Sequence, residues 1–215
     1  MSRSTTPRVV RQPVFRKFTA STYRKAIPFL LRDFEGRCAY SLQHVNRVGW
    51  KLMEVDHFNP NLRGPARNDY RNLFPATRHC NGAKQDAWPD PRFTRLGARF
   101  LNPTKEQDYG AHIFEDPISH ELVGTTPAGK YHIRCCDLNA PHLILERAER
   151  ARLRRILDDY PVTVQLPFPI PKQGEIPKQG EFLDVADVLR AILKNMIPQI
   201  PAPPQANTRC LEARR

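Results

Sequence analysis

The run Trp50-Lys-Leu-Met-Glu-Val-Asp-His57, closed by Phe58-Asn-Pro60, decides how this chain folds. It is the best strand candidate in a region poor in helical periodicity, and Asn59-Pro-Asn-Leu-Arg-Gly-Pro65 behind it is a loop. Adjacent strand residues point to opposite faces, so Asp56 and His57 can serve one site only where the strand ends and twists. Asn59-Pro60 supplies such an end.

The surrounding stretches are Arg37-Cys-Ala-Tyr-Ser41, Tyr70-Arg-Asn-Leu73 and His79-Cys-Asn-Gly-Ala-Lys84. Hydrolysis of a phosphodiester needs a cation on the scissile phosphate, a base to activate water and a polar group to orient that base. Asp56 and the side-chain carbonyl of Asn81 offer the oxygen ligands that hard divalent cations prefer. His57 can take a proton near neutral pH. Thr77 stands where the N-cap of a short helix belongs, and on that helix Asn81 and Lys84, three apart, share a face. One Asp-His pair means little in a chain with seven His. The ordered set of Asp56-His57, Asn72, Asn81 and Lys84 carries the weight.

This window resembles the HNH endonuclease superfamily, in the flavour that reads Glu-Val-Asp-His-Phe-x-Pro, then Asn-Leu, then Cys-Asn-x-x-Lys. The resemblance covers about 50 residues. Leu138-Asn-Ala-Pro-His-Leu143 and the Arg-rich helix behind it look, more loosely, like HNH subunits of Septu-type antiphage systems, where the nuclease partners an ATPase. The resemblance implies an α+β, mostly helical fold with a central ββα-metal finger, flanking helices and a Pro-rich C-terminal extension. It implies His57 as general base, Asp56 and Asn81 as ligands of one Mg²⁺-like ion, and Asn72 as the residue fixing the base loop. Lys84 becomes a phosphate contact, and Glu54 a partner behind the ligands. The expected function is a metal-dependent endonuclease acting on DNA or tRNA, the effector of an antiviral complex. A non-catalytic nucleic-acid-binding or ATPase-docking subunit is the alternative.

One feature departs from that family. Many relatives hold the finger with zinc on two Cys-x-x-Cys pairs; here the positions are Cys38 with Ser41 and Thr77 with Cys80. A hydroxyl is a poor zinc ligand, so a structural zinc is not expected. His44 and His79 could in principle complete a set with Cys38 and Cys80, but their spacing is irregular. Packing by Trp50, Phe58, Tyr70, Leu73, Phe74 and Trp88 is the plainer way to hold the finger, with Cys38 and Cys80 as small buried hydrophobes. Cys135-Cys136 reads as core.

The rest of the chain agrees with a nucleic-acid partner. Its 215 residues carry a net charge of +12. Residues 1–35 hold 8 basic and 2 acidic side chains and residues 36–92 hold 9 and 5, so most of the excess lies in the first 92. No apolar run approaches the roughly 18 residues of a membrane span, and no secretory leader is expected. Five Cys without framework spacing fit reduced thiols, hence a cytoplasmic protein. The expected organisation is a flexible basic arm at 1–14 and a nuclease domain at 15–160 with its finger core at 36–90. A Pro-rich repeat linker at 161–182, an amphipathic docking helix at 183–197 and a disordered tail at 198–215 follow.

Local signals place the flanking elements. Tyr23, Ile27, Leu30, Leu31 and Phe34 recur at helical spacing, with Pro28 expected to kink that helix or delay its start. A hairpin is expected around Asp116-Pro-Ile-Ser119, and helices begin at Thr126-Pro127 and Asn139-Ala-Pro141. The last runs to about Asp159, with Leu143, Ala148, Ala151, Ile156 and Leu157 as its buried stripe. Its Arg147, Arg150, Arg152, Arg154 and Arg155 suit helical ion pairing with Glu146 and Glu149 as well as they suit nucleic acid.

Overall fold

The computed structural model describes residues 9–14, 16–105 and 111–159. Residues 1–8 of the arm, the Pro-rich linker, the docking helix and the tail lie outside the described residues. Tyr23–Ala26 forms a 3-10 turn that leads into helix α1, Ile27–Asp33. Pro28 lies in the first turn of α1, where a missing N–H breaks no helical bond, so it delays the helix and does not kink it. Gly36 (φ +72°) then turns the chain away, its N–H returning to Leu31 O at 2.7 Å.

Helix α2 is Val45–Val48, capped by the His44 side chain. Trp50–Leu52, expected as the start of a strand, is a 3-10 turn; strand β1 is Met53–His57. A short helix α3 (Gly64–Arg67) and a 3-10 turn (Tyr70–Asn72) lead to strand β2, Leu73–Thr77, and at once to helix α4, Arg78–Lys84. The Thr77 hydroxyl accepts from Cys80 N–H and caps α4. Helix α5 is Pro91–Arg95. Strands β3 (Ile113–Glu115) and β4 (Leu122–Gly124) form the second hairpin, followed by helices α6 (Pro127–Cys135) and α7 (Pro141–Asp159). The fold is α+β, with seven α-helices and two antiparallel two-stranded sheets among the described residues. No described helix is long and apolar enough to cross a membrane.

β1 and β2 pair antiparallel, Met53 opposite Thr77 and His57 opposite Leu73. Both α1 and α4 pack against this pair. Val55 and Leu73 bury themselves with Phe18, Ala26 and Leu30, while Glu54 and Asp56 bond side chains of α4. Pro75 is buried, and it is tolerated inside β2 because its backbone points away from β1, where its carbonyl accepts from Ala39 N–H at 2.8 Å and no ladder N–H is needed. Phe58 stacks on Phe74 with 4.7 Å between centroids and meets Trp88 edge-on at 5.9 Å. Aromatic packing of the expected kind therefore backs the loop after β1.

Two expectations need correction. Residues 9–14, assigned to a flexible arm, are docked: Arg11 donates to Tyr70 O at 2.8 Å and Leu73 O at 2.9 Å, with its guanidinium 4.6 Å from the Phe74 ring centre. A cation above an aromatic face, with carbonyls to receive its N–H groups, is worth burying. The buried stripe of α7 also differs. Leu143, Arg147 and Leu153 are its buried side chains, while Ala148 and Ala151 are half-buried; the side chains of Ile156 and Leu157 lie outside the described residues. Arg147 earns its place by donating to His120 O, Leu138 O and Asn139 Oδ1, which ties the β3–β4 hairpin to α7. Glu146 and Glu149 reach Gln43 and Arg47 across the fold.

Candidate active site

The sequence makes β1 the outer strand of a pair only two strands wide. Side chains from its two faces can therefore flank one edge, and an open cleft of about 200 Å³ lies there. Val55, Asp56 and His57 line it together with Tyr23 from the α1 side and Asn81, Gln85 and Asp86 from the α4 side. This is how neighbours on a strand come to share a site.

His57 is half-buried, its ring 4.7 Å from that of Tyr23. Its Nε2 lies 3.1 Å from Asn68 Oδ1. With the carbonyl of Asn68 assigned to that contact, Nε2 carries the proton and Nδ1 holds the lone pair. Sequence reasoning missed Asn68 as the partner of His57; an Asn inside a loop gives no signal until the loop is folded. Asn72, expected to fix the base loop, spends its carboxamide on that loop. It accepts from Asn59 N–H at 2.9 Å and donates to Arg67 O at 2.9 Å and Asn59 O at 3.2 Å. It does not line the cleft.

Asp56 is buried, 4% exposed, and the Tyr40 hydroxyl donates to its Oδ2. Burial, then the Asp56 charge, push the Tyr40 phenol well up, so it stays a donor. Lys84 Nζ sits 3.0 Å from Asp56 Oδ2 and 3.2 Å from Oδ1, and donates to His57 O at 3.1 Å. Lys84 is wholly buried. That placement replaces the expected phosphate contact: the ammonium lies behind the strand end, where a carboxylate and a carbonyl satisfy it, and cannot meet a phosphate from there.

Asn81 Nδ2 donates to Glu54 Oε2 at 2.7 Å, and Arg78 Nε donates to Glu54 Oε1 at 2.9 Å. A carboxylate accepts only, so Glu54 fixes the amide orientation and turns the Asn81 carbonyl oxygen into the remaining ligand. Burial alone would raise the Glu54 carboxyl, but hydrogen bonds from Asn81 and Arg78, with the charges of Arg78 and Arg24, bring it below its ordinary value. An Asp56 carboxylate and an Asn81 carbonyl are hard oxygen donors. Mg²⁺ commonly takes one or two protein oxygens and keeps waters; these two oxygens suit it by type, and an ion at Asp56 would share the carboxylate with Lys84 and Tyr40.

Gln85, also missed from sequence, adopts φ +46°, ψ −132° as α4 ends at the cleft. Side chains other than Gly avoid that conformation, and such strain gathers at functional sites.

The four positions of the altered Cys motifs do converge. Cys38 Sγ accepts N–H groups of Tyr40 (3.4 Å), Ser41 (3.5 Å) and Thr77 (3.4 Å). Burial by itself would raise the Cys38 thiol, but hydrogen bonds from Cys80, Ser41 and Thr77 bring it down. Cys80, the donor of the pair, is pushed up by that bond and then by burial. His44 caps α2 through Nδ1, and His79 contacts Asp137 and His142. Among the described residues no three His, Cys, Asp or Glu side chains are grouped to hold a metal.

No family model, curated protein or solved structure matches the chain.

Proposed function

We propose that this chain is a metal-dependent HNH-type endonuclease hydrolysing phosphodiester bonds of DNA or tRNA, with β1, β2 and α4 as its ββα-metal finger. One observation carries the reading: His57, its Nε2 held 3.1 Å from Asn68 Oδ1, shares its cleft with Asp56 and Asn81. In this mechanism His57 Nδ1 takes a proton from water, which attacks phosphorus in line. Bound to Asp56 and Asn81, a Mg²⁺-like ion supplies charge stabilisation for the phosphate and its departing 3′ oxygen. Lys84 and Tyr40 hold the Asp56 carboxylate, Glu54 holds the Asn81 amide, and Asn72 holds the loop. With Lys84 inside, this reading assigns the phosphate contact to Arg24, which lies over the Tyr23 ring of the cleft wall, and to Arg78, paired with Glu54.

The same reading makes the chain the cytoplasmic effector of an antiviral complex with a partner ATPase. The exposed Arg150, Arg152, Arg154 and Arg155 of α7 fall in the region that carries the Septu-like resemblance. A second reading, nucleic-acid binding without cleavage, is favoured by one observation: Lys84 already balances Asp56. His57→Ala separates the two. Plasmid cleavage in Mg²⁺ should collapse in the variant while its circular dichroism stays that of the parent; undiminished cleavage would refute the assignment.

A further inference from the structure

A second cleft lies beside the first. It encloses about 480 Å³ and is lined by Asn61, Trp88, Pro89, Pro91, Thr94 and Arg95. Two stretches of chain connect the clefts. Gln85 and Asp86 wall the first and Trp88 the second; likewise His57 walls the first and Asn61 the second. Asp86 and Trp88 are two residues apart, so these walls lie within about 7 Å along the chain. That span is on the order of one or two nucleotides of a strand, whose stacked rise is ~3.4 Å and whose unstacked reach is longer.

We propose that the Trp88 cleft is a nucleobase subsite: it receives an unpaired base of the strand whose backbone crosses the His57 cleft. The inference rests on the endonuclease reading and names its substrate class, single-stranded or locally unwound nucleic acid. Trp88 is half-buried, edge-on to Phe58 at 5.9 Å and tilted on Phe100 at 6.0 Å, so its ring is held before any ligand arrives. A preset aromatic ring stacks on a base with little ordering cost. The carboxamide of Asn61 and the guanidinium of Arg95 supply the donors and acceptors that read a base edge. Phe93 and Leu96, 59% and 70% exposed, belong to the same α5 segment as the lining residues Pro91, Thr94 and Arg95; exposed Arg92 and Arg95 outnumber exposed Asp90 there, which leaves the segment net positive. A base stacked inside a duplex cannot enter; an extruded or unpaired one can.

Aromatic grooves also take Pro-rich peptide, and residues 161–182 of this chain are Pro-rich. That segment carries two Lys and two Glu, so it has no net charge to match the Arg rim. A polyanion does.

The test uses full-length protein labelled with 5-fluorotryptophan, in EDTA so that nothing is cleaved. The chain has two Trp, so Trp50→Phe and Trp88→Phe assign the two ¹⁹F resonances. At fixed salt, a single-stranded decanucleotide should shift the Trp88 resonance, and a blunt duplex of the same sequence should not. Asn61→Ala combined with Arg95→Ala, both outside the core, should weaken single-strand binding about tenfold and leave duplex affinity unchanged. Trp88→Phe should retain most of the single-strand affinity, as stacking requires. Equal responses to single strand and duplex, no response to either, or a shift produced by a 161–182 peptide and not by the oligonucleotide would each overturn the subsite. Binding in EDTA does not depend on His57 chemistry, so failure here leaves the endonuclease reading standing.

Discussion

Replacing Lys84 by Met keeps the aliphatic stem and deletes one charge from the centre of the candidate site. The structure fixes what is lost. Both Asp56 oxygens lose a cation at 3.0 and 3.2 Å, and the His57 carbonyl loses a donor at 3.1 Å. The Lys84 and Asp56 side chains are 0% and 5% exposed, so water does not replace the ammonium. Tyr40 remains as a donor but brings no charge. Removing one member of a buried ion pair costs about 3–5 kcal/mol, a large share of the roughly 5–15 kcal/mol that holds a domain together. Urea unfolding followed by circular dichroism should show a loss of that size for Lys84→Met. Asp56→Asn combined with Lys84→Met removes both charges, and should lie closer to the parent than the two single losses summed, by about 2 kcal/mol or more. On the proposed reading Mg²⁺ should recover part of the Lys84→Met deficit, because a divalent ion bound to Asp56 would supply the missing positive charge. A loss below about 1 kcal/mol, or strict additivity in the double variant, would refute the account of Lys84 as the internal counterion of Asp56.

Three further outcomes are expected. Asn72→Ala removes the clamp on the loop after β1; stability should fall by about 2 kcal/mol, and amide hydrogen exchange should quicken across residues 58–68, whereas unchanged protection there would show that packing alone holds the loop. His132 is buried and its imidazole is pushed down to about 3, first by burial and then by the charges of Arg99, His112 and Lys84. The unfolded chain therefore binds a proton that the fold refuses: this contribution is complete above about pH 6.5 and is lost as pH falls toward 3, at up to about 1.4 kcal/mol per pH unit. His132→Gln should flatten the slope of unfolding free energy between pH 5 and 6.5 relative to the parent, and equal slopes would count against the burial account. Gln85→Gly should relieve about 1 kcal/mol of backbone strain and raise Tm by about 2–4 °C, where a lowered Tm would mean that the Gln85 side chain makes up for its conformation.

What could be read from the sequence, and what could not, divides along the range of the interactions. Thr126-Pro127 announced its helix because a cap and a first-turn Pro act within one turn, and Pro141 opens α7 in the same local way, while the Asn139 side chain is used at long range, on Leu122 and Arg147. The Asp116 turn announced its hairpin for the same reason: Asp116 Oδ1 accepts from Ile118 and Ser119 N–H, bonds made two and three residues away. Arg11 gave no such signal, since its partners lie about 60 positions along the chain. Within the site, Asp56, His57, Asn81 and Gln85 line one cleft, yet only the first three carry residue types that suggest chemistry. Lys84 shows the limit most plainly. Its helical offset from Asn81 told which face it shares but not whether that face meets solvent or the underside of β1, and its chemistry differs entirely between the two. An ammonium in water draws in a phosphate; the same ammonium sealed against Asp56 sets the orientation of a carboxylate and holds the carbonyl of the neighbouring His57. Depth, which the order of residues does not encode locally, decides which of these Lys84 can do.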